Sequence, residues 1–322
     1  MARLHAGNSS LGRAQGLAGR AAVEPAGCSC GVRVERLQPG LAPSAQPQTA
    51  AGLPHGPGGS RRALSVPGDR KLGCPRDLLS KSCSPWSRTA LTPCTAASRA
   101  PPHLGVRVPS CPGWSLRDLV AHLAQVHRFW AAAVVAGPNE KPPTVAPADD
   151  TPSANLAAES AAATQELIAA LRAAGPAAGC WTWWSDSDVP MTSGAVARHQ
   201  LREAAVHAFD AQLATGAPLP IPADIALDGI AEFIGVGHGT AGPWPHKPTR
   251  IGLHAAEGES WLVDLTASGS HVIDGQHKTA ADLHGSASDL LLTLHGRLPL
   301  DSQRSQGARA TLENFLRWPD LG

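Results

Sequence analysis

The chain changes composition near residue 105, and this change limits which part of it can form a packed core. Of its 322 residues, the first 105 contain 13 Lys and Arg against 4 Asp and Glu, with Trp86 as their single aromatic residue. A segment so poor in aromatic residues and so rich in Pro, Gly, Ser and Arg buries too little apolar surface to offset the entropy lost on ordering. We therefore expect residues 1–105 to form a disordered, low-complexity leader. Two other interpretations of this segment stay open. It could be an organellar transit peptide, or it could be read from a misassigned start or a shifted reading frame.

The remaining residues, 106–322, carry the opposite charge balance. They contain 14 Lys and Arg against 22 Asp and Glu, together with all four Phe and all Trp but one. An acidic body argues against nucleic acid as a partner. No uninterrupted apolar run approaches the roughly 20 residues of a membrane helix, so no membrane partner is expected either. Two cysteines in this part, Cys111 and Cys180, make no disulfide framework, which favours a reducing, cytoplasmic location.

Hydrophobic periodicity predicts a helical bundle over residues 106–240. Its first helix begins where Ser115 and Asp118 form a capping box, and apolar residues then recur at helical spacing to about residue 136. Three further helices are predicted, at 153–174, 192–215 and 225–236. Such helices, joined by Pro-rich and Gly-rich breaks, indicate an antiparallel bundle.

The pattern changes after residue 249. Apolar residues alternate over three short segments, which predicts strands, and two helical segments follow. The predicted fold class is therefore α+β, with the helical bundle followed by a small α+β domain at 245–322.

One pair of side chains on the third predicted helix suggests a metal site. Glu203 and His207 lie four residues apart and therefore share one helix face. His122, on the inward face of the first helix, would supply a third ligand, and two His with one carboxylate make a zinc-type catalytic set with an open fourth position. On spacing alone, the alternative is a pair of core histidines and a surface glutamate. His199 is another candidate ligand.

Three segments, in order along the chain, resemble one known family. Residues 108–123, VPSCPGWSLRDLVAHL, look like the opening of the mycothiol-dependent maleylpyruvate isomerase family, one of the DinB-like metal-binding bundles. Residues 198–211, RHQLREAAVHAFDA, are similar to its metal-binding helix. Residues 283–298, LHGSASDLLLTLHGRL, resemble its sterol-carrier-like carboxy-terminal domain.

The resemblance implies a metal-dependent thiol enzyme. His122, Glu203 and His207 would bind one divalent metal, zinc, and mycothiol would be the cosubstrate. A metal with an open position lowers the pKa of a thiol and supplies the nucleophilic thiolate. Reversible addition of that thiolate to an unsaturated oxo acid would convert a cis double bond to trans. Arg297 is the predicted catalytic clamp for substrate carboxylates, and a solvated arginine is its alternative.

Two features depart from the family pattern. The first bundle helix is missing or replaced, which predicts that the apolar stripe around Leu119 and Leu123 is exposed. Arg202 and His295 replace the usual residues at their positions, and we expect both on the surface.

Other functions stay open from sequence alone. The same site would suit another mycothiol-dependent thiol transferase or detoxification enzyme acting on a similar electrophile. A noncatalytic metal- and ligand-binding protein is the alternative outside enzymes. Cys111 is either part of a structural turn or a reactive thiolate. Tryptophans 181, 183 and 184 either fill the core or line a pocket.

Overall fold

The computed structural model describes residues 104–145 and 155–319. The predicted leader therefore falls almost wholly outside the described residues, and its disorder stays a prediction.

The helical part contains four α-helices in the described chain. They are α1 (Leu116–Ala136), α2 (Leu156–Ala174), α3 (Ser193–Ala214) and α4 (Ala223–Phe233). The predicted capping box opens α1: the Asp118 carboxylate accepts a hydrogen bond from the Ser115 amide at 2.7 Å, and the Ser115 hydroxyl oxygen accepts one from the Asp118 amide at 3.3 Å. α1 packs against both α2 and α3, and α4 packs against α3 before continuing into one turn of π-helix, Ile234–His238.

The carboxy-terminal part is a five-stranded mixed sheet with helices. Its elements are β1 (Thr249–Ala255), β2 (Ser260–Thr266), β3 (Gly269–Ile273), β4 (Ala281–Gly285), α5 (Ala287–Leu294), β5 (Arg304–Gly307) and α6 (Arg309–Arg317). The strand order is β3-β2-β1-β4-β5, with β1 and β4 parallel and the other pairs antiparallel. The α+β class and the first three strands are confirmed.

Strands β4 and β5 are absent from the sequence prediction. In β4 only Ala281 and Leu283 are buried apolar residues, and β5 is exposed along its whole length. Neither strand has enough alternating apolar residues to produce a recognisable period of two. Both are held by pairing with neighbours that are distant in sequence.

One buried hydrophobic cluster joins the helices to the sheet. Leu201 and Phe209 of α3 and Ile230 of α4 belong to the same buried cluster as Leu253 of β1 and Leu290 of α5. A second cluster, between α1, α2 and the segment before α3, is built around Trp130 and Trp184. The α+β part therefore packs directly on the face of the helical part formed by α3 and α4.

The predicted exposure of the α1 stripe is wrong at Leu119, which is buried. The turn before α1 folds back over the helix, so Val108 and Cys111 cover Leu119 together with Ala211 of α3. Gly113 allows this turn because its φ of 88° lies in the left-handed region. Leu123 is half-buried.

By length and composition, α1 is apolar enough to cross a membrane. The search for uninterrupted apolar runs in the sequence did not find this helix. More than half of its most apolar window, 56%, is buried inside the described structure. Within the described chain it is the single helix with these properties, and its packing is that of a core helix.

Candidate metal centre

The three predicted ligands meet between α1 and α3. His122 projects from α1, while Glu203 and His207 lie one turn apart on α3. One ligand atom from each residue lies within 4.8 Å of the other two. Glu203 and His207 are buried, so the alternative of a surface glutamate is wrong.

One pair of donor atoms has the spacing that a bound zinc ion requires. His122 Nε2 lies 3.5 Å from Glu203 Oε1, and this buried nitrogen has no hydrogen bond of normal geometry in the described chain. Ligands about 2.1 Å from a tetrahedral zinc ion lie roughly 3.4 Å apart. A buried nitrogen without a partner beside a carboxylate and a second imidazole therefore fits a divalent metal.

Asp210 sets the orientation of the His207 ring. Its carboxylate Oδ2 lies 2.9 Å from His207 Nδ1 and is fully buried. An ionised carboxylate only accepts hydrogen bonds, so Nδ1 carries the proton and Nε2 is the basic atom. A carboxylate behind a ligating histidine is the usual arrangement in protein metal centres.

The two carboxylate oxygens of Glu203 face different partners. Oε1 faces His122, while Oε2 accepts a hydrogen bond from the Gln200 amide at 2.9 Å. Burial raises the pKa of this carboxyl, but the three surrounding imidazoles outweigh burial and hold the pKa below its usual range. Glu203 is therefore ionised, as a metal ligand must be.

Trp114, from the turn before α1, covers both histidines. Its ring centroid lies 4.8 Å from that of His122 and 6.3 Å from that of His207. Of the three candidate ligands, His122 has the most exposed side chain, 17%, although its Nε2 atom is buried. The sequence analysis assigned Trp114 no role in the site.

Arg297 lies beside the centre but does not face solvent. Its side chain is 4% exposed and forms a two-point pair with Asp210, with Nε at 3.1 Å and Nη2 at 2.9 Å from the two carboxylate oxygens. The alternative of a solvated arginine is therefore wrong. Its predicted contact with substrate stays a prediction.

A second buried network lies on the other side of Glu203. Arg202 and His199 both bind Glu232 of α4, and Arg202 Nη1 contacts His295 Nε2 at 3.1 Å. The expectation that Arg202 and His295 lie on the surface is wrong, because α4 and the end of α5 cover them. Packing of the α+β part on α3 creates this burial, and α3 by itself does not reveal it.

His199 is not among the residues that converge with His122. Its Nδ1 contacts Glu232 Oε1 at 2.9 Å, and its Nε2 lies 3.7 Å from Glu203 Oε2. The ring is enclosed by three tryptophans, with centroids 5.1–5.8 Å away: Trp130, Trp183 and Trp184. Trp184 is fully buried against α1 and fills the core, whereas Trp181 and Trp183 are half-buried and Trp181 lines a surface cavity.

Cys111 takes part in a second group that could hold a metal. Its sulfur and the side chains of His207 and Asp210 offer ligand atoms within 4.8 Å of one another. The Cys111 thiol is buried, 3.6 Å from Asp210 Oδ2 and 3.7 Å from Arg297 Nη2. These contacts place Cys111 next to the centre, and its reactivity as a thiolate stays a prediction.

Two acidic residues organise the site without having been assigned a role from the sequence. Asp210 follows His207 by one helical turn, a spacing that places its carboxylate on the same face. Glu232 lies one turn after Asp228 on α4, and both are buried, so each carboxylate requires a cationic partner. Both signals are present in the sequence.

Comparison with known proteins gives a match over the helical part. Residues 87–212 match the family model described as the mycothiol maleylpyruvate isomerase N-terminal domain. This part of the chain is similar to that domain. The match begins at residue 87, ahead of the predicted boundary at 106 and of the first described residue, and it includes all three candidate ligands.

Two solved structures are similar to the chain. They are crystal structures of the mycothiol-dependent maleylpyruvate isomerase and of a point mutant of it, each 17% identical in sequence. Each comparison covers 72% of this chain and 91% of the other, with TM-scores of 0.46 and 0.47. A search of curated proteins gives no match.

Proposed function

We propose that this protein is a metal- and mycothiol-dependent enzyme of the maleylpyruvate isomerase type. The observation that carries the proposal is the convergence of His122, Glu203 and His207, with a buried imidazole nitrogen that lacks a hydrogen-bond partner. The family match over residues 87–212 supports the same reading. We propose zinc as the metal because two His and one carboxylate are a typical zinc set.

Each side chain has a distinct task in this proposal. His122 and His207 provide neutral nitrogens, and Glu203 provides the ionised oxygen. Asp210 keeps the proton of His207 on Nδ1, and Gln200 holds the second oxygen of Glu203 away from the ligand position. Trp114 covers the two rings and excludes water from one side.

A divalent metal with an open position would lower the pKa of the mycothiol thiol and supply a thiolate at neutral pH. That thiolate adds to the cis double bond of a substrate in which the alkene is conjugated with a carbonyl. Rotation about the resulting single bond and expulsion of the thiolate then give the trans isomer, and the thiol is regenerated unchanged. The sequence predicts Arg297 as a contact for a substrate carboxylate, although Asp210 occupies the two-point edge of its guanidinium.

The first prediction concerns metal content. The full chain is expected to bind about one divalent metal, measured by plasma mass spectrometry after dialysis, because its donor set matches zinc. His207→Ala and Glu203→Ala should each lose that metal. His254→Ala, which removes a histidine from the outer face of the sheet, serves as the matched control and should retain it. A metal-free wild-type protein would contradict the proposal and favour a noncatalytic binding protein.

An assay of maleylpyruvate isomerisation, with and without mycothiol, tests the activity itself. Turnover should require both the metal and the thiol. A metal-loaded protein that consumes mycothiol with other electrophiles but does not isomerise maleylpyruvate would instead be a thiol transferase.

We also propose a cytoplasmic location. It is supported by the lack of a disulfide between Cys111 and Cys180 in the described chain and by a cosubstrate that is a reduced thiol.

A further inference from the structure

We propose that Asp210 and Arg297 are positioning residues for the metal centre: Arg297, from the α+β part, fixes Asp210, and Asp210 fixes the ring of His207. This inference rests on the proposed function, since it concerns how His207 is presented to the metal. It assigns Arg297 a role that differs from contact with substrate.

Asp210 is the point at which three distant segments meet. Besides the His207 contact on α3, its Oδ1 accepts a hydrogen bond from the Ser110 hydroxyl at 2.5 Å, and Cys111 Sγ lies 3.6 Å from Oδ2. Arg297 reaches it from the segment after α5. A fully buried carboxylate with this many donors has one orientation, so the imidazole bonded to it is also fixed.

The geometry of Arg297 favours a structural task for its guanidinium. The edge formed by Nε and Nη2 is directed at Asp210, and Nη1 donates to the His295 carbonyl oxygen at 2.8 Å. This edge is the one that binds a carboxylate in two-point fashion. The carboxylate in that position belongs to the protein.

The charges explain why the pair is required. The Asp210 carboxylate is fully buried, and Arg297 supplies the guanidinium that pairs with it. Without Arg297, Asp210 would be a buried carboxylate with only partial compensation, and it would rotate away from its present position. The His207 ring would then lose its fixed acceptor.

The same pair links the two parts of the protein. Asp210 lies on α3 of the helical part, whereas Arg297 follows α5 of the α+β part. The position of the α+β part is thereby coupled to a metal ligand that it does not contain.

The second prediction tests this coupling through metal affinity. Zinc affinity of the full-length chain is measured by competition with a chromophoric chelator for Asp210→Ala, Asp210→Asn, Arg297→Gln and Arg297→Lys. Removing a partner behind a ligating histidine lowers metal affinity by about 10- to 100-fold. We expect such a loss for Asp210→Ala and a loss in the same direction for Arg297→Gln. Arg297→Lys should recover part of the zinc affinity, because lysine keeps the positive charge but cannot form the two-point pair with the carboxylate.

Arg250→Gln is the matched control. Arg250 pairs with Asp264 at 2.9 Å between β1 and β2, so the substitution breaks an arginine–aspartate pair of the same α+β part away from the metal. Its zinc affinity should equal that of the wild type. The absorption spectrum of the Co²⁺-loaded protein should change in the Asp210 and Arg297 variants and stay unchanged in the control.

The outcomes separate this inference from the proposed function. If the wild type binds no zinc, both fail. If His207→Ala abolishes binding while the Asp210 and Arg297 variants bind zinc as tightly as the wild type, the positioning role alone is overturned. A raised KM in Arg297→Gln with unchanged zinc affinity would identify Arg297 as a substrate contact instead. If Asp210→Ala does not fold, the near-isosteric Asp210→Asn decides the question.

Discussion

At the scale of single residues, two arginines on α3 show how burial changes the value of an ion pair. Arg202 and Arg198 lie one turn apart and each binds a carboxylate of α4, Glu232 and Asp228 respectively. The Arg202 side chain is 7% exposed and that of Arg198 is 40% exposed. A buried carboxylate that loses its partner cannot be solvated, whereas water replaces an exposed partner.

The third prediction compares these arginines. Arg202→Ala should lower the free energy of unfolding by about 3–5 kcal/mol, since it leaves Glu232 buried without its guanidinium. Arg198→Ala, the control on the same pair of helices, should cost roughly 1 kcal/mol, because water can replace the 40% exposed guanidinium beside Asp228, whose own side chain is 8% exposed. Urea denaturation of metal-free protein at pH 7 measures both. Equal losses would mean that the exposure of the arginine does not determine the effect.

At the scale of elements, α1 is defined by its first turn. The Ser115 and Asp118 pair satisfies backbone donors that α1 would otherwise leave open, and the loop before it carries Trp114 to the metal centre. A capping box is local, so the sequence predicts it directly. Strands β4 and β5, in contrast, depend on partners distant in the chain, which explains why their short segments carry no recognisable pattern.

The fourth prediction concerns this cap. Ser115→Ala removes the side chain that accepts from the Asp118 amide and should lower the free energy of unfolding by about 1 kcal/mol. Ser305→Ala, on the exposed edge strand β5, is the control and should have little effect. Thermal unfolding followed by circular dichroism compares them. A Ser115 variant as stable as the wild type would show that tertiary packing alone positions the start of α1.

At the scale of the whole molecule, burial of titratable groups links stability to pH. His238 is fully buried, its ring stacks on Phe315 with centroids 4.0 Å apart, and its Nε2 donates to the Phe315 carbonyl oxygen at 3.3 Å. Burial lowers the pKa of His238 to about 4. Because the unfolded chain binds this proton more readily than the folded chain, stability is lost as pH falls from about 6.5 toward 4.

The fifth prediction follows from that sign. The free energy of unfolding of the metal-free protein should fall between pH 7 and pH 5, and the fall should be shallower in His238→Gln, whose amide can keep the bond to Phe315 without titrating. One such group contributes up to about 1.4 kcal/mol per pH unit. Urea titrations at pH 7, 6 and 5 measure the slopes. Identical slopes in the two proteins would contradict the assignment.

The sequence by itself determined the change of composition at residue 105, the start of α1, the first three strands and the three candidate ligands. The pair on α3 rests on local spacing, because His207 follows Glu203 by one turn in any helix. His122 lies on another helix, and the resemblance to a known family adds it to the set. Only the tertiary structure decided that Arg297 binds Asp210 and that Arg202 and His295 are buried. Those facts depend on the α+β part packing against α3, and contacts between segments so distant in the chain leave no period or spacing in the sequence.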